Sequence, residues 1–353
     1  PQPQCPYPGC SVVAVENACA CGSLPPVPWF YCTLKYFCFT VVMSLYLLIL
    51  CANVLLIVVI CVNRSLHEPM YMFLCSLFVN ELYGTSSFYP KLLHDLLTNS
   101  YVITYTACLG QMFVTYSYIF SEFTSLTVMA YDRYIAICKP LQYRMLMTAQ
   151  KVAQLLMLTW CFSVFETAVG TVLTARLPLC GRHIPKIFCT NWEVVKLSCS
   201  DSTLNNIYAF MLIFSHLSQT ALIMVSYVHL IRAAIRSQAD RRKFMQTCLP
   251  HLITLLVFTT SLMFDTMYSR YSGGSTMKAL QNALAAQFLV VPPLINPIIY
   301  GLNLLTLDTV APMKTSNQKY LTPRYNSQTR SLKQMTRKLE SHKFRGSSFS
   351  LEK

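Results

Sequence analysis

Charge is scarce in this sequence. Only 12% of its 353 residues are Asp, Glu, Lys or Arg, against roughly 25% in an average soluble domain. With 54% hydrophobic residues and a mean hydropathy of +0.42, a soluble chain could not cover itself with polar surface. Glycine is also scarce, at 10 residues, which excludes a collagen-like repeat. Disorder is excluded for the opposite reason, because there is ample apolar surface to bury. The usual signatures of catalysis are missing too. There is no Gly-rich phosphate loop and no serine in a nucleophile elbow. His67-Glu68 is followed by Pro69, so it does not open a metalloprotease helix motif. No enzyme is expected. An integral membrane protein remains, and its net charge of +14 reads as a topology signal rather than a sign of a nucleic-acid partner.

A spanning helix needs about 20 predominantly apolar residues. Seven stretches qualify, at 36–62, 70–89, 105–137, 152–172, 204–231, 248–267 and 279–302. No segment alternates like a barrel strand, and no internal repeat suggests an inverted-repeat transporter. The expected fold is an all-α integral membrane protein, a seven-transmembrane helix bundle. The spanning domain covers 35–303, flanked by segments at 1–34 and 304–353.

Lys and Arg in short loops set the orientation. Lys139, Arg144 and Lys151 follow span 3, and Arg232, Arg236, Arg241, Arg242 and Lys243 follow span 5. The tail from 304 holds ten of the 28 basic residues, whereas no base precedes Lys35. The N-terminus is therefore expected outside and the C-terminus inside. Arg176, Arg182, Lys186 and Lys196 after span 4 are a mild exception. On that topology Cys108, Cys180, Cys189 and Cys199 face an oxidising compartment, where bridges form. Four cysteines allow three pairings.

Span 3 ends in Met129-Ala-Tyr-Asp-Arg-Tyr-Ile-Ala-Ile-Cys138. Taken alone, Asp132 and Arg133 read either as an interfacial anchor or as a two-state ion pair. The stretch resembles the MAYDRYxAIC signature of olfactory receptors, within the rhodopsin-like G-protein-coupled receptors. Leu66-His-Glu-Pro-Met-Tyr71 is similar to the family's LHxPMY, and Ser226-Tyr227 to its SY in span 5. Lys243-Phe-Met-Gln-Thr-Cys-Leu-Pro-His-Leu252 resembles the KAxxTCxxHL opening of span 6. Pro293-Leu-Ile-Asn-Pro-Ile-Ile-Tyr300 resembles PxLNPIIY in span 7. The phrases Asn80-Glu-Leu-Tyr-Gly84 and Phe88-Tyr-Pro-Lys91 look most like the fish-type branch.

The resemblance implies a small-molecule odorant bound between the outer halves of the helices. It also implies an olfactory Gs-type heterotrimeric G protein at the inner face, raising cyclic AMP. The switch would comprise Asp132, Arg133, Tyr134, Tyr227, His251, Asn296, Pro297 and Tyr300. The implied disulfides are Cys108–Cys189 and Cys180–Cys199. The setting would be the plasma membrane of sensory cilia, with membrane lipid around the bundle. The alternatives are a receptor of the same fold with a non-olfactory role, a non-functional gene product, or, lower, a transporter or channel.

A carboxylate at bilayer depth is a functional hypothesis by default. The resemblance implies that Glu81 and Glu122 face inward and hold a sodium ion, with Asn296 and Asn53 as polar partners. The competing reading is a protonated, hydrogen-bonded acid. No other cofactor is expected. Asp265 could meet a cationic ligand group or pair with Arg270 or Lys278, and the direction of Glu166 stays open. The pocket is expected from Thr115, Tyr116, Ile119 and Phe120 in span 3, and Asn206, Phe210 and Ile213 in span 5. Span 6 adds Phe258, Ser261, Leu262 and Asp265. Any one of these could instead be ordinary interhelical packing.

The ends depart from the family. Residues 1–34 are rich in Pro and Cys and hold no N-x-S/T sequon, and the expectation is an atypical extracellular segment, without order or from a mis-spliced or fragmentary gene model. The tail from 304 is polar and basic, and is expected to be a cytoplasmic segment without fixed structure.

Overall fold

The computed structural model describes residues 12–15, 28–98, 100–236, 252–264, 266–267 and 286–301. Nine named helices run through them. These are α1 Pro28–Val62, α2 Pro69–Thr98, α3 Tyr105–Cys138, α4 Tyr143–Leu146, α5 Ala149–Ala175, α6 Asn191–Lys196 and α7 Thr203–Arg236, then α8 Leu252–Phe264 and α9 Ala286–Gly301. A 3-10 turn, Arg64–Leu66, links α1 to α2. The chain divides into two compact units, 1–299 and 300–353. Of the second, Tyr300 and Gly301 are described.

Composition explains which helices meet lipid. α1, α5 and α7 hold apolar stretches long enough to cross a bilayer, at Leu34–Val62, Ala149–Ala175 and Thr203–Arg232. Apolar side chains there point outward: Leu55 on α1, Phe165 on α5 and Phe214 on α7 are each more than 60% exposed. A helix that shows apolar groups on its outer face suits lipid, not water. α8 and α9 are shorter apolar helices within the described residues. α2 and α3, the spans with internal acids, turn their polar groups inward. Asn80, Glu81, Gln111, Thr115, Ser121 and Glu122 are all buried. α3 is the central post, packed against α2, α5 and α7. Thr104 and Thr148 cap the N-termini of α3 and α5, each accepting from a backbone N–H three residues on.

Two boundaries differ from the sequence expectation. α2 continues past 89 to Thr98 with Pro90 inside it. Proline normally breaks the ladder because it lacks an N–H. Here α2 runs on through Pro90, and beside the Ser86 carbonyl that loses its donor the Gln111 side chain of α3 donates to the Ser87 carbonyl at 3.0 Å. α1 begins at Pro28 rather than near 36. Residues 279–285, expected in span 7, lie outside the described residues.

A small sheet caps one end of the bundle. β1 (Val12–Val15) pairs antiparallel with β2 (Val102–Thr104) and parallel with β3 (His183–Ile184). Within the segment expected to lack order, residues 12–15 form this strand. Its Val-Val-Ala-Val run favours extended backbone, and the two neighbouring strands supply its backbone partners. Cys108–Cys189 and Cys180–Cys199 are both bonded, as expected. The first ties α3 to the long loop 176–202.

Candidate functional site

Three features share the first unit. The first is a buried polar cluster at mid-bundle. Asn296 on α9 donates through Nδ2 to Glu81 Oε1 at 2.7 Å and to Glu122 Oε1 at 3.3 Å. Asn80 donates to Glu122 Oε2 at 3.1 Å. The Tyr118 hydroxyl lies 3.0 Å from Glu81 Oε2 and 2.8 Å from the Phe288 carbonyl. All of these side chains are fully buried. Two carboxyls answered only by two neutral amides and a phenol hydroxyl cannot both carry charge cheaply in a buried interior. They need either a proton or a cation. A hard cation takes oxygen ligands, and Asn80 Oδ1 and Ser121 Oγ are buried without a partner in this region. That donor set fits sodium. Among the described residues there is no grouping of three or more His, Cys, Asp or Glu suited to a metal. Asn53, expected in the cluster, does not reach it. Its amide donates instead to the Pro293 and Ile49 carbonyls, which ties α1 to α9.

The space for this cluster is made by Gly84. A Cβ there would overlap the Tyr118 ring. Without a side chain at 84 the ring lies flat on α2, and its hydroxyl reaches Glu81.

The second feature is at the far end of α3. Arg133 is buried, paired with Asp132 through Nε at 2.9 Å and through Nη2. Tyr143 on α4 donates to the other carboxylate oxygen of Asp132 at 2.8 Å. Burial and the neighbouring Asp132 carboxylate push the Tyr143 phenol above its ordinary range. Tyr143 was not foreseen, because its one-turn helix has no apolar pattern to announce it. Tyr134 sits edge-on to His229 at 6.1 Å, and Tyr227 and Pro297 are buried. His251 lies outside the described residues, and Tyr300 belongs to the second unit.

The third feature is a cavity of about 120 Å³ between α3, α5, α7 and α8, near the disulfide-bonded end. Of the expected residues, Tyr116, Phe120, Ile213 and Leu262 line it. Five others do not. Thr115 turns to α2, where its hydroxyl meets Ser87 at 3.2 Å. Ile119 and Phe258 are packed into the bundle core. Ser261 is folded back onto the Val257 carbonyl. Phe210 is 48% exposed on the outer face of α7. Asn206 is replaced by its neighbour Asn205, about 100° around the helix. Asp265 lies outside the described residues.

Sequence reasoning missed much of the wall. Glu166, Thr167, Gly170 and Thr171 come from α5, Tyr208 and His216 from α7. Thr190 and, at the start of α6, Asn191 and Trp192 form the lid. The lid is pinned. Cys189 N–H donates to Gln111 Oε1 at 3.0 Å, and the Asn191 amide donates to Thr174 Oγ1 at 2.9 Å. Tyr208 donates to the Glu166 carbonyl at 2.7 Å, which fastens α7 to α5 beside the cavity.

Comparison with known proteins agrees with this arrangement of helices. A family model described as olfactory receptor matches residues 41–312. The chain is 35% identical over 276 residues to human olfactory receptor 7C1, covering 76% of this chain and 84% of that protein. It is 35% identical over 272 residues to human olfactory receptor 6N1, covering 76% and 86%. It is 34% identical over 268 residues to mouse olfactory receptor 4B13, covering 75% and 86%.

Proposed function

The chain belongs to the olfactory receptor family, and on that premise we propose that it is an odorant-binding G-protein-coupled receptor of the plasma membrane. The observation that carries this reading is one helix joining two sites. α3 lines the apolar cavity with Tyr116 and Phe120 and, at its other end, holds Arg133 shut against Asp132.

The N-terminus lies outside and the tail from 304 inside. An odorant enters the cavity, and the change is passed along α3 and the Glu81–Glu122–Asn296 cluster. Arg133 then leaves Asp132 and, with Tyr134, Tyr227 and Pro297, completes a cleft for an olfactory Gs-type G protein. Cyclic AMP rises in consequence. Glu81, Glu122 and Asn296 would hold a sodium ion, which would supply the positive charge that the acid pair lacks. The phrases 80–84 and 88–91 support placing the chain in the fish-type branch, and cilia of sensory neurons are its site of action.

The test is a cyclic-AMP assay over a broad odorant panel in cells supplying the olfactory G protein, with surface expression measured in parallel. A ligand-dependent rise that disappears in Arg133→Ala, at equal surface expression, is expected. Silence of well-displayed receptor across the panel, or an unaltered Arg133→Ala response, would overturn the reading.

A further inference from the structure

The cavity has a polar pole that no residue answers. Glu166 and His216 are both more than nine-tenths buried and face one another across it, with Oε2 and Nε2 3.8 Å apart. That separation is too long for a hydrogen bond, and neither atom has another partner. Ser215 also donates to the Glu166 carboxyl group but leaves Oε2 unanswered.

The imidazole's tautomer follows from its other nitrogen. Nδ1 lies 2.8 Å from the Leu212 carbonyl. A carbonyl only accepts, so Nδ1 carries the hydrogen, and in the neutral ring Nε2 is a bare acceptor. The ring is held in place by Phe120 at 4.5 Å and Phe123 at 5.3 Å between centroids. The pole is therefore two fixed, buried acceptors with no protein donor between them. A buried acceptor left unmet is costly. A single nitrogen with two or more N–H groups can sit within about 2.8–3.0 Å of both.

The rest of the wall suits the remainder of such a molecule. Tyr116, Phe120, Trp192 and Tyr208 bring aromatic faces, and Leu262 and Met263 are apolar. Aromatic faces attract a cation. Among the described lining residues there is no Lys or Arg to compete for the carboxylate, and Glu166 is the only acid.

We infer that the cavity binds small apolar amines, with the amino group bridging Glu166 Oε2 and His216 Nε2 and the hydrocarbon body lying among the aromatic residues. The inference rests on the receptor reading above and names its ligand class.

The test uses purified full-length receptor in lipid nanodiscs, with 2-phenylethylamine as probe and 2-phenylethanol as the matched neutral compound. Binding is measured directly by ligand-induced stabilisation against heat, apart from any G protein. The amine is expected to bind ~10- to 100-fold more tightly than the alcohol, the scale of a desolvated charge-assisted hydrogen bond. In Glu166→Gln that preference should fall to near unity, while binding of the alcohol stays put. Equal binding of the two compounds by the native receptor overturns the inference without recourse to a variant. So does a preference that survives Glu166→Gln. His216→Phe, which removes the other acceptor, serves as a second variant and should also weaken amine binding selectively. Direct amine binding without a cyclic-AMP rise would instead defeat the signalling reading and leave the ligand class standing. Cyclic-AMP responses to other odorants without amine binding would do the reverse.

Discussion

Two of the buried acid groups among the described residues are answered differently. Around Glu81 and Glu122, the donors come from the protein itself: Asn80 on α2, Tyr118 on α3 and Asn296 on α9. Around Glu166, a carboxylate oxygen and an imidazole nitrogen are left facing each other with no donor between them. The first arrangement couples helices to one another. The second leaves its polar valence for a visitor. Burial alone does not tell the two apart, since all three acids are inaccessible. What separates them is whether the polar atoms are already spoken for.

The contrast can be broken by mutation, and the mid-bundle cluster should show the larger effects. Asn296→Ala removes the amide that serves both carboxyls and should cost about 3 kcal/mol or more, since it leaves buried acids unmet. Thermal unfolding of detergent-solubilised receptor would show it as a lowered Tm; an unchanged Tm would mean that the cluster is not structural. Tyr118→Phe keeps the ring but deletes the hydroxyl beside Glu81 and the Phe288 carbonyl, and should cost roughly 1–3 kcal/mol by the same measurement. Gly84→Ala forces the Tyr118 ring off α2, and an overpacked site of this kind should cost about 1–3 kcal/mol. The Gly84→Ala, Tyr118→Phe double variant should show non-additivity, because the two changes meet at one contact. At the cavity pole, Glu166→Gln should cost less stability than Asn296→Ala, because Oε2 has no protein donor to lose. A loss as large as that of Asn296→Ala would erase the distinction between the two regions.

Length and composition made the spans legible, and the motif around Arg133 located the switch end of α3. Helix faces were not legible to the same degree. In a soluble protein, polarity marks the outer face. Here lipid is as apolar as the core, so the sign of the pattern is lost. Phe210 and Ile213 look alike on a span, yet one faces outward and the other the cavity. Asn205 and Asn206 are adjacent and identical, and only the rotation of α7 selects between them. Glu166 gave no direction from sequence because α5 is apolar nearly all round. His216 passed unnoticed as a lone histidine, since its meaning depends on Glu166 from another helix. The strand at 12–15 escaped because its partners, at 102–104 and 183–184, are distant in sequence.

The contact between Gly84 and Tyr118 has a consequence for how such a chain can change over generations. A side chain at 84 and a ring at 118 claim the same space, and the ring carries the hydroxyl that reaches Glu81. A lineage that enlarges position 84 must shrink or tilt position 118 and then find another donor for the acid. The three positions, 84, 118 and 81, are thus expected to vary as a set, so that a change at one is inherited with its compensations at the others.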